Sequence, residues 1–496
     1  MNILTLLEMA ANGFGERTAV GSIGTGLTYS QLLDQASRAG KTFADAGTER
    51  VSFLDVSSPA LPVALFGAAY AGQPFVPLNY RLADADLVQL AERTTPAVLV
   101  AGSDQSGRVQ AVDGVQVLER QPFLDTAEAG EGLEPSSWPM DPDDIAVLLY
   151  TSGTTGSPKA AVLRHKNLTG YILGSVEYMG AGEDEATLVS VPPYHIAGLA
   201  AILSSVFAGR RIVQLPDFDA DTWIDLVAAE NVTNAMVVPT MLARIVDRMS
   251  ARSIELPSLR AVSYGGGRMP LPVIDQALRL FPETRFVNAY GLTETSSTIS
   301  LLGPDDHRLA HTSDDPAIRR RLTSVGQPLP ALEVSIRDEE GNEVAAGTPG
   351  EVWVRGEQVA GEYLQQGSKL TDEGWFPTND GGELDADGYL YVTGRLDDVI
   401  VRGGENISPG EIEDVLLDHP DVHDVAVIGV PSDQWGETIG AVVVGTANED
   451  DLKAHVTERL RASRSPDTIM YREELPYNDT GKLLRRVLRA ELADDD

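Results

Sequence analysis

The segment Tyr150–Lys166 reads YTSGTTGSPKAAVLRHK. An apolar run, IAVLLYT (145–151), enters it, and Ala160–Leu163 leaves it. The first reads as a buried strand, the second as another strand or a turn. Between them, Ser152, Thr154, Thr155 and Ser157 offer hydroxyl donors. Gly153 and Gly156 let backbone amides approach an anion. This composition suits phosphate, yet it is not a Walker A loop, which needs G-x-x-x-x-G-K-[ST]. Pro158 precedes Lys159 and Ala160 follows it, so the magnesium-binding hydroxyl is missing. An ordinary glycine-rich turn has the same composition.

Outward from this loop, helical stretches alternate with short apolar runs. LTYSQLLDQASRAGKTFADAG has helical periodicity after a serine able to cap it. AVLV (97–100) reads as a buried strand, and DTWIDLVAAENVTNAMVVPTMLARIVDRM as helix, strand, helix. Such alternation predicts α/β layers with largely parallel sheets. After about residue 325, LEVSIRDEEGNEVAAGTPGEVWVRG carries period-two segments and glycine turns, the pattern of antiparallel hairpins. From about 407 a compact α+β unit follows, with the join near TGRLDDVIVRGGEN. At 496 residues the chain exceeds one folding unit.

Composition removes several classes. The formal charge of −36 repels nucleic acid and anionic membrane, so neither is an expected partner, and any phosphate site must be built locally. The absence of cysteine excludes disulfides, thiolate metal sites and a cysteine nucleophile, and agrees with a cytoplasmic location. No signal peptide is visible in MNILTLLEMAANGFGER. The uncharged run Val56–Tyr80 is long enough to span a bilayer, but Pro59, Pro62, Pro74 and Pro77 divide it. A buried helix followed by a strand suits it better.

Three further segments bear on the loop. SYGGGRMP (263–270) presents three glycines after an apolar strand, bare backbone against which a planar ring can lie. NAYGLTETSS (288–297) offers Tyr290 for stacking, Thr293 as a hydroxyl and Glu294 as a carboxylate suited to Mg²⁺. WFPTND (375–380) with YVTGRLDD (391–398) sets one aspartate and one arginine where ribose hydroxyls can be held. Taken singly, each is equally a loop, a polar strand end or a surface ion pair.

Together and in order, YTSGTTGSPK, PPYHIAG, NAYGLTET, GRLDDVIVRGGENISPGEIE and LPYNDTGKLLRR resemble the adenylate-forming superfamily, in its acyl- and aryl-CoA synthetase branch. The resemblance covers nearly the whole chain. It implies an α/β N-terminal domain, residues 1–396, of two layered sheets plus a small β-barrel-like subdomain. A small mobile α+β domain, residues 397–496, would turn about a hinge near Asp397.

The resemblance also implies roles. Thr151, Ser152, Gly153, Thr154, Thr155, Gly156 and Lys159 would close over the β- and γ-phosphates of ATP. Gly265, Gly266, Gly267, Tyr290 and Gly291 would bind adenine, and Asp380 with Arg395 the ribose. Thr293 would touch the α-phosphate, Glu294 and Thr155 would hold Mg²⁺, and Lys482 would bridge the α-phosphate and the substrate carboxylate. Gly403, Gly404, Glu405 and Asn406 would line a channel for the CoA thiol. His195, Val238, Thr240, Ala289 and Ser296 would bound the acyl pocket, His195 with a catalytic gating role beside the thiol channel, and small residues at Gly265, Ala289 and Gly291 would leave room.

The implied function is an AMP-forming carboxylate–CoA ligase using ATP, Mg²⁺ and CoA on a fatty or aryl acid. Amino-acid-activating relatives carry an aspartate near YHIAGL to pair with an ammonium, and none stands there. The alternatives are loading of a carrier-protein thiol, or only the thioester-forming half-reaction on a supplied adenylate. A non-catalytic binding module would not need the late lysine, and a P-loop kinase or ATPase is weaker still, because Pro158–Lys159–Ala160 breaks the motif. A homodimer is compatible with the resemblance. The chain departs from the family pattern at Ala160 and Asn379, where glycine is usual, at Tyr477 and Asn478, and in SRSPD (463–467). Arg485, Arg486 and Arg489 make a basic patch, read as a solvated face paired with acids before a CoA phosphate contact.

Overall fold

The computed structural model describes residues 1–132, 138–151, 158–252, 254–432, 434–477 and 483–494. The alternating pattern builds two large sheets. One has eight strands, ordered Gly367–Ser368, Glu362–Tyr363, Lys159–Arg164, Ile145–Thr151, Phe75–Pro77, Arg50–Leu54, Ala97–Ala101 and Val115–Glu119. The last five run parallel. Ala97–Ala101 is an unbroken apolar run because both its faces are covered, and all of it is buried. Lys159–Arg164 returns antiparallel to Ile145–Thr151.

The Val56–Tyr80 run becomes helix Ala60–Ala71 and strand Phe75–Pro77. The helix is buried on every side from Ala60 to Tyr70, which explains why it is apolar all round. Among the described residues no helix is long and apolar enough to cross a membrane. The helix near Leu27 spans Tyr29–Asp45, and its cap is Thr28, not the serine. Thr28 Oγ1 accepts from Gln31 N at 3.2 Å, and the Gln31 side chain accepts from Thr28 N at 2.9 Å. A capping box needs Glu or Gln three residues on; Thr28 has Gln31, whereas Ser30 would have Leu33.

The second sheet has nine strands: Gln327–Pro328, Ser297–Leu302, Arg285–Leu292, Ala261–Gly265, Asn234–Val237, Ala186–Val189, Arg211–Gln214, Thr18–Val20 and Leu27–Thr28. From Arg285–Leu292 to Thr18–Val20 they run parallel. Strand order reverses at Ala186–Val189. The chain leaves it for Arg211–Gln214 on one side, then places Asn234–Val237 on the other. Such a reversal opens a crevice outside the carboxyl ends of the strands. Helices Ile3–Phe14, Tyr29–Asp45, Ala60–Ala71 and Ile196–Ala208 share one core with Val51 and Val98 of the first sheet and Val189 and Ile212 of the second. The two sheets are thus layers about common helices.

The barrel-like unit is a four-stranded antiparallel sheet, Glu333–Arg337, Gly350–Arg355, Phe376–Leu384 and Leu390–Arg395. A single turn, Leu396–Asp398, leads from it to the C-terminal sheet. There, Val422–Ser432 and Gly436–Gly445 pair antiparallel, with Thr468–Tyr471 parallel beside the latter. Val425 and Val427 face helices Pro409–Leu417 and Glu449–Arg459, while Ala426 and Ile428 face helix Arg485–Asp494. This is the period-two alternation of a sheet buried on both sides. Among the described residues, these cores take none from before Ile400.

Three buried histidines bear on acid stability. Burial holds His165 and His307 near pKa 4 and His195 near 3, below the usual imidazole value. His307 sits neutral between Tyr264 Oη, 2.8 Å from Nε2, and Gly303 O, 2.7 Å from Nδ1. The unfolded chain takes up these protons below about pH 6.5, and the folded chain only near pH 4. Stability contributed by neutral His307 is therefore complete above pH 6.5 and lost as pH falls toward 4. Each such histidine steepens the loss by up to about 1.4 kcal/mol per pH unit. Chemical denaturation between pH 6 and 4.5 should show a shallower decline for His307→Gln than for the parent. Equal slopes would remove His307 from the account.

Candidate active site

The carboxyl ends of the parallel strands bring the expected residues to one edge. His195 follows Ala186–Val189, Val238 and Thr240 follow Asn234–Val237, Gly266 and Gly267 follow Ala261–Gly265, and Thr293 follows Arg285–Leu292. Gly265 and Ala289 are cross-strand partners. Val238 is buried, and its Cγ1 lies 3.8 Å from where a Cβ on Gly266 would stand. The acyl-pocket and adenine-binding expectations therefore meet along this edge.

The expectation that Gly265 and Gly291 leave room for a substrate is corrected. A Cβ on Gly265 would stand 2.1 Å from Ala289 O, and one on Gly291 1.7 Å from Ser297 O. Backbone of the neighbouring strand fills that space. Ser296 is likewise sealed, with a left-handed φ of 56° and an Oγ that has no partner among the described residues. Gln358 holds the turn, donating from Nε2 to Thr295 O at 3.0 Å and Thr298 O at 2.7 Å.

Asp380 is 5 % exposed and anchors the ribose candidate. Tyr290 Oη donates to its Oδ2 at 2.6 Å, and Arg395 to its Oδ1 at 3.1 Å. Arg395 also reaches Thr378 O at 3.1 Å, and Thr378 Oγ1 accepts from Asp380 N at 3.1 Å. The antiparallel register sets Asp380 directly opposite Arg395. Burial, then the Asp380 charge, push the Tyr290 phenol well above the usual tyrosine range, so it remains a donor. The sequence marked Tyr290 as a ring for stacking; its hydroxyl joins the adenine candidate to the ribose candidate.

Glu294 lies in the turn Thr293–Thr295. Its carbonyl accepts from Ala360 N and Gly361 N at 2.9 and 3.0 Å, and its Oε1 accepts from Tyr363 Oη. Nothing among the described residues bonds its Oε2, so one hard oxygen is open, as a Mg²⁺ ligand requires. Thr151 stands opposite Lys159 in the hairpin, Thr151 Oγ1 donating to Lys159 O at 3.4 Å. Lys159 Nζ lies 5.8 Å from the Tyr363 ring centre. Tyr363, next to Lys159 in space and bonded to Glu294, was not marked by the sequence. Its signal is the strand pairing Tyr363–Ala161, visible only in three dimensions. Ser152, Gly153, Thr154, Thr155, Gly156 and Lys482 lie outside the described residues.

His195 caps helix Ile196–Ala208 by position only, without a side-chain bond. Its ring lies 4.6 Å from Tyr194, and its Nε2 is shut from solvent without a partner among the described residues. Burial first, then the Arg81 charge, keep it neutral at pH 7. It is therefore a neutral side chain at this edge rather than a fixed cation.

Gly403 and Gly404 form the tight turn between Ile400–Arg402 and Glu405–Ile407, with φ of 59° and 83°. A two-residue hairpin turn of type I′ demands positive φ at both positions, so the pair has a structural reason of its own. Glu405 pairs with Arg464 at 2.9 Å, and Asn406 is exposed. The helix that follows is held by Arg268, the residue after the glycine triplet, which donates to Gly410 O at 2.8 Å and pairs with Asp414. Arg485 binds Glu413 at 2.7 Å and Arg489 binds Asp398 at 2.9 Å, as expected of a patch paired with acids.

Comparison with known proteins adds to this geometry. The AMP-binding enzyme family model matches residues 7–364, and the AMP-binding enzyme C-terminal domain matches 411–482. A feruloyl-CoA synthase of Amycolatopsis is 33% identical over 484 residues, 95% of each chain. The fatty acid–[acyl-carrier-protein] ligase ScoC of Streptomyces coeruleorubidus is 30% identical over 490 residues, covering 94% of this chain and 92% of the relative. Among solved structures, o-succinylbenzoate CoA synthetase of Bacillus subtilis with its acyl-adenylate intermediate is 28% identical. It superposes with a TM-score of 0.85, covering 98% of this chain and 97% of the other. The same enzyme with ATP and magnesium ion gives 0.83 at 28% identity, covering 97% and 98%.

Proposed function

The chain belongs to the AMP-binding enzyme family, and from that premise we propose the reaction it catalyses. It is an AMP-forming acid–CoA ligase. A carboxylate oxygen attacks the α-phosphorus of ATP, the bond to the β-phosphate oxygen breaks, and pyrophosphate leaves. The CoA sulfur then attacks the acyl carbon, gives up its proton, and AMP leaves. The observation that carries the reading is the buried Asp380, held between Tyr290 and Arg395.

Neither step needs a protein nucleophile, which fits a chain without cysteine. The work is positioning and charge. Two anions must meet, and fixed donors offset their repulsion best where water is scarce. Thr151–Lys159 closes over the β- and γ-phosphates, Thr293 meets the α-phosphate, and Lys482 bridges it to the entering carboxylate. Gly265, Gly266 and Gly267 face adenine with Tyr290, while Asp380 and Arg395 take the ribose hydroxyls. Glu294, with Thr155, would hold Mg²⁺, which neutralises phosphate charge when bound. Gly403–Asn406 would guide the thiol, after residues 397–496 turn about Asp397.

A fatty or aryl acid is the substrate class, since Pro192–Gly198 has no carboxylate to pair with an ammonium. The acceptor is CoA, with a carrier-protein thiol as the second reading, favoured by the likeness to ScoC. The cytoplasm is the proposed location, on the absence of cysteine. The test is incubation with ATP, Mg²⁺, CoA and a panel of fatty and aryl acids. At least one acid should yield AMP, pyrophosphate and acyl-CoA in equal amounts. AMP without acyl-CoA, restored by a phosphopantetheinylated carrier, would move the acceptor to the second reading. No AMP with any acid would overturn the function.

A further inference from the structure

Asn379 departs from the family pattern, and the structure shows what its side chain does. It stands immediately before Asp380, with a left-handed φ of 61°. That conformation suits glycine, and among other residues asparagine adopts it most readily. The backbone is pinned there because Asn379 N donates to Glu351 Oε1 at 2.9 Å, and Trp353 Nε1 holds Glu351 Oε2 at 2.8 Å. So fixed, Asn379 Nδ2 donates to Asp397 Oδ2 at 2.7 Å. Asp397 is the middle residue of Leu396–Asp398, the single turn that joins the four-stranded sheet to the separately cored C-terminal unit.

A glycine at 379 would keep the backbone and lose this bond. We infer that Asn379 is a positioning residue that latches the interdomain turn to the strand bearing Asp380, biasing the C-terminal unit toward the arrangement seen here. This rests on the reading that residues 397–496 turn about Asp397. The latch is exposed and made by one neutral donor on one carboxylate, so it breaks at small cost. It acts as a bias rather than a lock. Its neighbour in sequence is the ribose carboxylate, so nucleotide binding and domain arrangement share one short strand.

The test uses the absence of native cysteine. Spin labels on Asp113→Cys and Glu458→Cys report the distance between the two units. Asn379→Gly, which accepts the same φ, should raise the population of a second distance by about three- to tenfold. The ratio of thioester formation from supplied acyl-adenylate to adenylation should shift by a similar factor. Asn379→Asp, which sets two carboxylates together, should open the turn further. The exchanged pair Asn379→Asp with Asp397→Asn should restore the parent distribution. Unchanged distances in both Asn379→Gly and Asn379→Asp would overturn the latch, whatever the activity. Changed distances that the exchanged pair does not restore would overturn the Asn379–Asp397 bond as their cause. A restored latch in a chain that adenylates no acid would sink the functional reading and leave the latch standing.

Discussion

Asp380→Ala is expected to lower kcat/KM for ATP by about 100-fold, mainly through KM. A hydrogen bond to a charged group contributes about 1.5–3 kcal/mol, and two ribose hydroxyls would each donate one. About 3 kcal/mol corresponds to roughly two decades. The variant also leaves Tyr290 Oη and Arg395 facing a cavity that held their common acceptor. Removing one partner of a buried charge pair costs more than the pair contributes, so the melting temperature should fall as well. Asp380→Asn separates the two effects: it fills the space but carries no charge. The decisive measurement is discrimination between ATP and its 2′-deoxy analogue. The parent should discriminate, and both variants should do so weakly. A variant that is unstable yet still discriminates would show that Asp380 is structural and that the ribose is held elsewhere.

Lys482→Ala should lower adenylation by about 1,000-fold while leaving thioester formation from supplied acyl-adenylate close to the parent. Removing one preorganised donor from a developing charge costs about 10²–10³, and here a full cation is lost as two anions approach. Arginine should not rescue it, because a planar fork does not replace a compact ammonium at a point between two oxyanions. The flanking residues belong to the C-terminal unit: Tyr477 Oη binds Asp424 at 2.9 Å, and Leu483 packs against that unit's core. The lysine therefore travels with residues 397–496 in the proposed rotation. Pyrophosphate exchange measures the first half-reaction, and acyl-CoA formed from synthetic adenylate the second. Equal losses in both would contradict the role.

Legibility in the sequence followed the range of the interactions. Strands Ile145–Thr151 and Ala97–Ala101, the buried helix within Val56–Tyr80 and the hairpin after residue 325 were all readable. Their apolar runs and glycine turns are local patterns. The cap at Thr28 was misplaced by two residues although its partner Gln31 was in plain view. Gly265 and Gly291 were read as room for a ligand, when each admits a neighbouring strand's backbone. Gly403–Gly404 could be read as channel or turn, and positive φ at both positions accounts for the turn alone.

The order of motifs along the chain by itself determined the family and the reaction class, because phosphate, ribose and carboxylate each call for particular side chains. Tertiary structure alone decided how those side chains meet. Tyr363 reaches Glu294 across 69 positions because its strand pairs with Lys159–Arg164. Asp380 takes both Tyr290 and Arg395 because an antiparallel register and the end of a parallel strand converge on one carboxylate. Loop YTSGTTGSPK supplies hydroxyl and amide donors through its own composition. Which carboxylate and which tyrosine stand beside its lysine is set by strand order and register, which only the packed sheets fix.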